Sequence, residues 1–256
     1  MTEIQGYLIV RDEVDIINEV LEYYQVLKRP LLVIDNGSTD GTELALKKWA
    51  SNGAIELINY PTTDYDLKAL LEMTVRMAVG RTDGWVLHID ADHFYDPPEG
   101  IDSLIGLATA AELEGANTVN FTEYCFHHTA LDPDPEKEPS TQKRQRFYTR
   151  HISGLNQPRL FRAIPGVDVH SDGGHSIVYP DNAVIWFSKI GVLRHYPFRS
   201  FEQGRKKLVI RRQRYSSAGR ARNWHKQYDH LSQDEWFISE PTLAKLHYWE
   251  LGIPLK

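Results

Sequence analysis

The most constraining feature of this 256-residue chain is the alternation, in its first half, of apolar strand-like runs with segments whose apolar residues recur at helical spacing. Gly6 to Val10, Leu31 to Ile34 and Trp85 to Ile89 are typical of buried strands, and Ile17 to Leu27 shows the helical spacing. Strand and helix alternate at least four times. This pattern predicts the α/β class, with a mostly parallel twisted sheet and helices on both of its faces.

Length and composition suggest an ordinary globular protein. Hydrophobic residues make up 41% and charged residues 25% of the chain, so one domain with a substantial core is expected. No apolar run approaches the length of a membrane span, and the N-terminus lacks the pattern of a secretory signal. The single cysteine, Cys125, excludes an intramolecular disulfide and favours a reducing compartment, which predicts a cytoplasmic protein.

Less regular segments follow the alternating part. A helix is expected over Glu99 to Glu114, and the three prolines of Leu131 to Gln145 predict an exposed, mobile loop of the kind that often forms a lid. Strands are expected over Pro158 to Ala163 and Ala183 to Lys189. A basic helix is expected over Phe201 to Ser217.

Charge is distributed unevenly. The net charge is -6, but residues 1–142 carry 26 acidic and 9 basic side chains (net -17), whereas residues 143–256 carry 9 acidic and 20 basic ones (net +11). Arg194 to Lys226 holds eight Arg and three Lys against the single acid Glu202. A solvated helix face explains part of such a run. Its density also suggests an anionic ligand, such as a diphosphate, another acidic molecule or nucleic acid.

Two carboxylates end the apolar run that begins at Trp85. Asp90 and Asp92 are spaced one residue apart, so both side chains point the same way on an extended segment. Open α/β sheets bind ligands in the crevice outside the carboxyl ends of their strands. Two carboxylates there can reach one divalent cation through hard oxygen ligands. A metal at this position would suit a phosphate-bearing substrate.

A polar turn ends the second strand. The sequence Asp-Asn-Gly-Ser-Thr-Asp-Gly-Thr runs from Asp35 to Thr42, and its glycines permit a tight turn, while Asp40 or Thr42 can cap the next helix. Taken alone, it is explained by turn formation. Its position matters more, because it and Asp90 both follow apolar strands and are expected at the same edge of one sheet.

These segments, in this order, resemble the family 2 glycosyltransferases of the GT-A fold. Members carry an early Asp-x-x-Ser-x-Asp-x-Thr turn, here Asp35 to Thr42, and a later Asp-x-Asp motif, here Asp90 to Asp92. Arg11-Asp12-Glu13 resembles the Arg-x-Glu segment that follows the first strand in one branch, and Arg194-His195-Tyr196 resembles that branch's C-terminal His-Tyr segment. The resemblance covers roughly residues 5 to 215. It implies a GT-A-like fold and the metal-dependent transfer of a sugar, with inversion, from a nucleotide-sugar donor to an acceptor hydroxyl.

The resemblance also implies roles for individual residues. Asp90 would contact the ribose or the metal's water shell, Asp92 would ligate the metal, and His195 would be the third protein contact to it. Mn²⁺ or Mg²⁺ is the expected cofactor, because a cation and basic side chains must neutralise the departing diphosphate. A surface position explains Lys68 equally well. The implied donor-binding residues are Arg11, Glu13, Asp35, Asn36, Ser38, Lys68 and Asp90.

On this interpretation the single domain 1–256 has three parts. Residues 1–125 form a nucleotide-binding half, 126–200 a lid loop and acceptor half, and 201–256 a basic helical C-terminal extension. The expected donor is linked to uridine diphosphate (UDP). The acceptor is left open between a glycan, a lipid-linked or other anionic acceptor, and nucleic acid, and so is the oligomeric state.

Inversion requires a general base opposite the leaving group, and an Asp or Glu is the usual choice. The segment from Gly166 to His175 offers the best local candidates. Asp172 is the first choice, followed by Asp168, His175 and, on a different segment, Glu123. A Ser-Asp-Gly-Gly sequence also forms ordinary turns, so the competing explanation for Asp172 is a turn.

Two alternatives are weighed against the transferase. A haloacid-dehalogenase-like phosphohydrolase also places Asp-x-Asp after an apolar strand, but on its first strand and with Thr or Val behind. A non-catalytic nucleotide-sugar or glycan binder would keep Asp35 and lack a working base. Two features depart from the family pattern: His93 follows Asp92 where many relatives have Glu, and a Gln-x-x-Arg-Trp motif is missing, which argues against a processive polysaccharide synthase. One cysteine and dispersed histidines argue against a structural zinc site.

Overall fold

A computed structural model describes residues 2–62, 66–150, 157–169, 173–181, 183–210 and 245–255. The strands are β1 Ile4–Val10, β2 Leu31–Asp35, β3 Ile55–Asn59, β4 Trp85–Asp90, β5 His93–Asp96, β6 Thr118–His127, β7 Phe147–Arg150, β8 Pro158–Arg162, β9 Gly191–His195 and β10 His247–Tyr248. The helices are α1 Ile17–Tyr24, α2 Thr42–Ser51, α3 Leu67–Val79, α4 Leu104–Leu113, α5 Thr141–Arg144 and α6 Phe201–Arg205. A 3₁₀ turn, Gln25–Leu27, extends α1, and a π turn, Lys206–Ile210, extends α6.

The chain forms two compact units. The first contains residues 1–62, 67–122 and 153–193, and the second contains residues 63–66, 123–152 and 194–256. In the first unit the strand order is β6-β8-β4-β1-β2-β3, and β5 pairs with β9. Strands β4, β1, β2 and β3 are mutually parallel, while β8 runs antiparallel to β4 and β6. The predicted α/β class with a mostly parallel sheet is confirmed.

The core of the first unit forms because the central strands are apolar on both faces. All five residues of β2 are buried, and β1 and β4 are buried along nearly their whole length, as parallel strands covered on both sides require. Helix α3 contributes its apolar face through Leu71, Val75 and Ala78 to a cluster that also holds Tyr7 and Val86. This packing holds the carboxyl ends of β1, β2 and β4 in place.

Two sequence expectations need correction in this unit. The helix expected from Glu99 begins only at Leu104, because the Ser103 hydroxyl caps it by accepting a hydrogen bond from the Gly106 N–H. The strand expected over Ala183 to Lys189 is reduced to a single bridge between Trp186 and Thr118. The Asn117 side chain bonds the Ala183 carbonyl and the Ile185 N–H, which are backbone groups that a ladder would have used.

The second unit contains a smaller antiparallel sheet in the order β10-β7-β6, in which the last part of β6 pairs with β7. The Phe126 ring stacks on Tyr196 at 4.6 Å between centroids. Buried arginines bind backbone carbonyls there: Arg144 donates to Glu138 and Pro139, and Arg199 donates to Tyr196. Part of the basic second half is therefore engaged in holding this unit together.

The predicted basic helix over Phe201 to Ser217 is confirmed only for its first turns, since α6 and the following π turn end at Ile210. Its remainder, and most of the predicted helical extension, lie outside the described residues. The expected loop over residues 131–145 contains turns and the short helix α5. Within the described ranges no helix has the length and apolarity needed to cross a bilayer.

Candidate active site

The candidate site lies at the carboxyl ends of three neighbouring parallel strands. In the register of the sheet, Val10 at the end of β1 is paired with Asp35 at the end of β2, and Ile9 is paired with Asp90 at the end of β4. The two acidic segments predicted from sequence, and the loop that begins at Arg11, are thereby brought to one sheet edge. This is the edge at which open α/β sheets bind their ligands.

The loops after β1 and β2 are joined by hydrogen bonds. The Asp12 N–H donates to the Ser38 hydroxyl at 3.0 Å, and the Thr39 N–H donates to Asp12 Oδ1 at 2.7 Å. The Glu13 N–H donates to the Thr42 hydroxyl at 2.8 Å. Asp12 has φ +55°, a left-handed conformation that Asp tolerates better than most residues. The polar turn therefore leads into α2 and also binds the loop that follows β1.

One carboxylate oxygen of Asp35 accepts hydrogen bonds from the loop that follows β2. The Ser38 hydroxyl donates to its Oδ1 at 2.5 Å and the Ser38 N–H donates to the same atom at 3.2 Å. Within the described part of the chain, Oδ2 has no hydrogen-bond partner. The residue is only 3% exposed, so the protein fixes the position of Oδ2 although no described residue donates a hydrogen bond to it. Such an atom is suited to accept a hydrogen bond from a ligand.

Neighbouring side chains line the same edge. Arg11 donates to Asn36 Oδ1 at 3.2 Å and to the Thr62 carbonyl at 3.3 Å. Asn36 is fully buried and donates to the Tyr60 carbonyl at 2.8 Å, so its amide orientation is set by the protein. Glu13 is buried, at 4% exposure. Lys68 is half-buried in the first turn of α3.

Asp90 is embedded in a network of buried donors. Its Oδ2 lies 3.2 Å from Nη1 of Arg159 and 3.2 Å from Nδ1 of His93, and its Oδ1 lies 3.4 Å from Nε2 of His88. Arg159 also donates to His88 Nδ1 at 2.8 Å. Because a guanidinium only donates, Nδ1 accepts and the His88 proton lies on Nε2, facing Asp90. The His88 ring stacks on Tyr7 at 4.9 Å between centroids.

The electrostatics of this network follow from burial and from the guanidinium. Desolvation by the surrounding protein opposes ionisation of Asp90, but the charge of Arg159, together with His88 and His93, outweighs it and holds the pKa of Asp90 well below the usual value. Burial lowers the pKa of His88, and the Arg159 charge lowers it further. Burial also raises the pKa of Tyr7 well above its ordinary value. Asp90 is therefore an anion, and His88 and Tyr7 are neutral, at neutral pH.

Asp92 lies in the turn after β4 and is 8% exposed, and its Oδ1 is 3.7 Å from Nε2 of the buried His93. A carboxylate and an imidazole close together are a donor set that binds Mn²⁺ and related cations. Buried carboxylates are stable when they are paired or coordinate a metal. The residues present therefore fit a divalent cation at Asp92, while Asp90 already has a cationic partner in Arg159.

Gly174, in the segment proposed to supply the base, lies against the Asp90 network. Gly174 has φ +90°, and a Cβ built on it would lie 2.6 Å from His88 Cε1 and 2.9 Å from Arg159 Nη1. His175 is exposed, and its charge lowers the pKa of His88. Asp168 is half-buried in a bridge with Val178. The first choice for the base, Asp172, lies outside the described residues.

His195 belongs to the second unit, where it pairs with Glu123. Its Nδ1 lies 2.7 Å from Glu123 Oε1. Ligand atoms of Glu123, Cys125 and His195 lie within 4.8 Å of one another. Histidines that ligate metals commonly donate their other ring N–H to a carboxylate, which orients the ring. The Glu123 contact gives His195 this arrangement at Nδ1.

Sequence reasoning overlooked Arg159 and did not assign a role to His88. One signal was present for each. His88 is two residues before Asp90, so on a strand both side chains point to the same face. Arg159 is a charged residue inside the short apolar strand Pro158–Arg162, a position that requires a partner when it is buried. The identity of that partner could not be read from local sequence.

Comparison with known proteins places these features in a family. A sequence model of glycosyl transferase family 2 matches residues 15–157, which is more than half of the chain and includes both acidic segments. A search of curated proteins found no match.

Among solved structures, S. aureus TarS aligns with 14% identity and a TM-score of 0.43, over 81% of this chain and 39% of that one. TarS 1–349 in complex with UDP aligns with 14% identity and a TM-score of 0.40, over 81% of this chain and 65% of that one. The chain thus spans less than two thirds of the length of these TarS chains. UDP-glucose pyrophosphorylase complexed with UDP-glucose aligns with 10% identity and a TM-score of 0.29, over 77% of this chain and 90% of that one. On the strength of the family match, this chain belongs to glycosyl transferase family 2.

Proposed function

We propose that the protein is a metal-dependent glycosyltransferase that moves a sugar, with inversion, from a nucleoside-diphosphate donor to an acceptor hydroxyl. The observation that carries the proposal is the meeting of Arg11, Asp35 and Asp90 at the ends of three adjacent parallel strands, as the register requires. Family membership gives the reaction class, and this geometry supplies residues for the donor.

In this proposal the first unit holds the nucleotide. Asp35 accepts a hydrogen bond from the base or ribose through Oδ2, and Ser38 holds the carboxylate in that orientation. Asn36 and Arg11 shape the same pocket, with Glu13 and Lys68 as further lining residues. Asp90 accepts a hydrogen bond from the ribose, since its side chain is 39% exposed despite its protein partners.

Asp92 and His195 are proposed as protein ligands of Mn²⁺ or Mg²⁺, with Asp90 at most in the metal's water shell. The bound cation would neutralise charge that develops on the departing diphosphate. Glu123 supports this role of His195 by binding its Nδ1. Both assignments come from the family resemblance.

The reaction requires a base that removes the acceptor proton as the acceptor oxygen attacks the anomeric carbon and the bond to the diphosphate breaks. Asp172 stays the first candidate, followed by Asp168 and His175. The supporting observation is that Gly174, two residues after Asp172 in the sequence, lies against His88 and Arg159, the partners of Asp90. A carboxylate there could face the sugar from the side opposite the diphosphate.

The acceptor stays a prediction. A glycan, a lipid-linked or other anionic acceptor, and nucleic acid all agree with the basic run from Arg194 to Lys226, of which residues 211–226 lie outside the described residues. Within the described part, Arg199 is buried and bound to a backbone carbonyl, so it serves the fold. The proposed cytoplasmic location continues to rest on the single cysteine.

The decisive experiment is a thermal-shift and transfer assay with nucleoside diphosphates and nucleotide sugars, with and without Mn²⁺. UDP is the first probe, because TarS has been solved with UDP. A ligand at 100 times its Kd stabilises a protein by about 2.7 kcal/mol, which is readily detected. We expect stabilisation by UDP that depends on Mn²⁺ and is abolished by Asp92→Asn.

The matched control is Asp83→Asn, which makes the same chemical change at an exposed turn before β4 and should leave the response intact. Transfer or Mn²⁺-dependent hydrolysis of a nucleotide sugar would distinguish an enzyme from a silent binder. Cleavage of a simple phosphomonoester would instead indicate a phosphohydrolase, which the position of Asp90 on the fourth strand already disfavours. Indifference to every nucleoside diphosphate would overturn the proposal.

A further inference from the structure

The Asp-x-Asp motif of this protein is asymmetric, because within the described ranges a buried guanidinium binds its first carboxylate and not its second. Arg159 is 1% exposed, and its Nη1 lies 3.2 Å from Asp90 Oδ2. Bonds from Nη1 to His88 Nδ1 at 2.8 Å and from Nε to Gln157 Oε1 at 3.1 Å also fix its orientation. A guanidinium bonded in this way cannot move aside without leaving its own charge buried and unpaired.

The remaining partners of Asp90 reinforce the arrangement. His88 Nε2 lies 3.4 Å from Oδ1, and His93 Nδ1 lies 3.2 Å from Oδ2, so both oxygens face protein nitrogens. The carboxylate is still 39% exposed on its outer side, where it can accept a hydrogen bond from a hydroxyl. A divalent cation at the same oxygens would have to overcome repulsion from a full positive charge only a few ångströms away.

We propose that Arg159 is a positioning residue that reserves Asp90 for hydrogen bonding to the donor and keeps it out of the metal's coordination shell. This inference rests on the metal-dependent transfer proposed above. Of the two carboxylates in the motif, Asp92 is then the one that coordinates the metal. Affinity for a hard cation grows with the number of charged oxygen ligands. With one carboxylate ligand from the motif the protein therefore binds the cation weakly, and it binds the cation tightly only when the diphosphate supplies further oxygens.

The test is a titration of the full chain with Mn²⁺ alone, in which electron paramagnetic resonance measures the concentration of the free ion. The titration is then repeated in the presence of UDP. Arg159→Gln should tighten the Kd for Mn²⁺ alone by about tenfold, because Asp90 becomes available as a second carboxylate ligand. A merely structural defect would weaken metal binding, so a gain is diagnostic. Arg159→Lys keeps the charge and should retain the wild-type value.

The double variant Asp90→Asn/Arg159→Gln removes one charge of each sign. Since Asp90 is not a ligand in the wild type, the Kd of this variant for Mn²⁺ alone should stay within about twofold of the wild-type Kd. A difference of that size is the usual scatter of additivity. The control is Arg162→Gln on the same strand, where the guanidinium pairs with Glu112 at the surface, at 3.0 Å. Arg162→Gln should leave the Kd for Mn²⁺ unchanged.

Unchanged or weakened Mn²⁺ binding by a folded Arg159→Gln would overturn the inference. So would a large loss of Mn²⁺ affinity in the double variant, because it would show that Asp90 ligates the metal. If Arg159→Gln does not fold, the double variant decides alone, since it leaves no buried charge unpaired. Failure of the proposed function would look different: Asp92→Asn would then bind Mn²⁺ and UDP like the wild type, whatever Arg159 does.

Discussion

Replacing Gly174 with alanine should test how tightly Gly174 packs on the Asp90 network. The new Cβ would lie 2.6 Å from His88 Cε1 and 2.9 Å from Arg159 Nη1. The two side chains are held by the hydrogen bond from Arg159 Nη1 to His88 Nδ1, so neither can withdraw freely. Overpacking of this kind costs about 1–3 kcal/mol. The backbone angle φ of +90° adds about 1–2 kcal/mol for any residue with a Cβ.

The expected loss in free energy of unfolding is therefore about 2–5 kcal/mol, measured by urea denaturation. Gly115→Ala is the matched control, because Gly115 has φ +73° and a Cβ added there would meet no other atom within 4 Å. It should cost only the backbone term, about 1–2 kcal/mol. Equal losses in the two variants would refute the packing of Gly174 on His88 and Arg159. A displaced network should also weaken binding of UDP with Mn²⁺ in Gly174→Ala and leave it unchanged in Gly115→Ala.

Two further predictions concern His88 and Ser38. Because burial and Arg159 lower the pKa of folded His88, the unfolded chain binds a proton there first as the pH falls below about 6.5. As the pH falls, this site should lower the free energy of unfolding by up to about 1.4 kcal/mol per pH unit. Urea titrations from pH 7.5 to 5.5 should show that the free energy of unfolding depends less steeply on pH in His88→Gln than in the wild type. Ser38→Ala removes a donor to Asp35 and should weaken UDP binding by about fivefold to tenfold, or about 1–1.5 kcal/mol, in calorimetry; unchanged affinity would exclude Ser38 from positioning Asp35.

The first half of the fold was predictable because its signals are local. Apolar runs gave β1, β2 and β4 to within a few residues, and helical spacing gave α1 with its 3₁₀ extension over Ile17 to Leu27. The same method failed over residues 183–189, where an apolar run looks like a strand. There Asn117, far away in sequence, binds the backbone groups that a strand would need.

The site was predictable to the extent that it consists of strand ends. Two acidic motifs after apolar strands were expected at one sheet edge, and the register of β1 with β2 and β4 confirms that expectation. The roles assigned to Asp92, His195 and the base candidates stay predictions. The glycines at positions 173 and 174 suggested only a turn, and the close approach of Gly174 to His88 on the strand that bears Asp90 was not visible in the sequence.

The sequence alone determined which short segments are strands, helices and polar turns, because hydrophobic periodicity and turn chemistry act between residues close along the chain. Only the tertiary structure decided which charges face each other. Arg159 and Asp90 are 69 positions apart, and β8 meets β4 through antiparallel pairing that neither segment specifies by itself. The partner of a buried charge is set by strand order, and strand order is a property of the whole sheet.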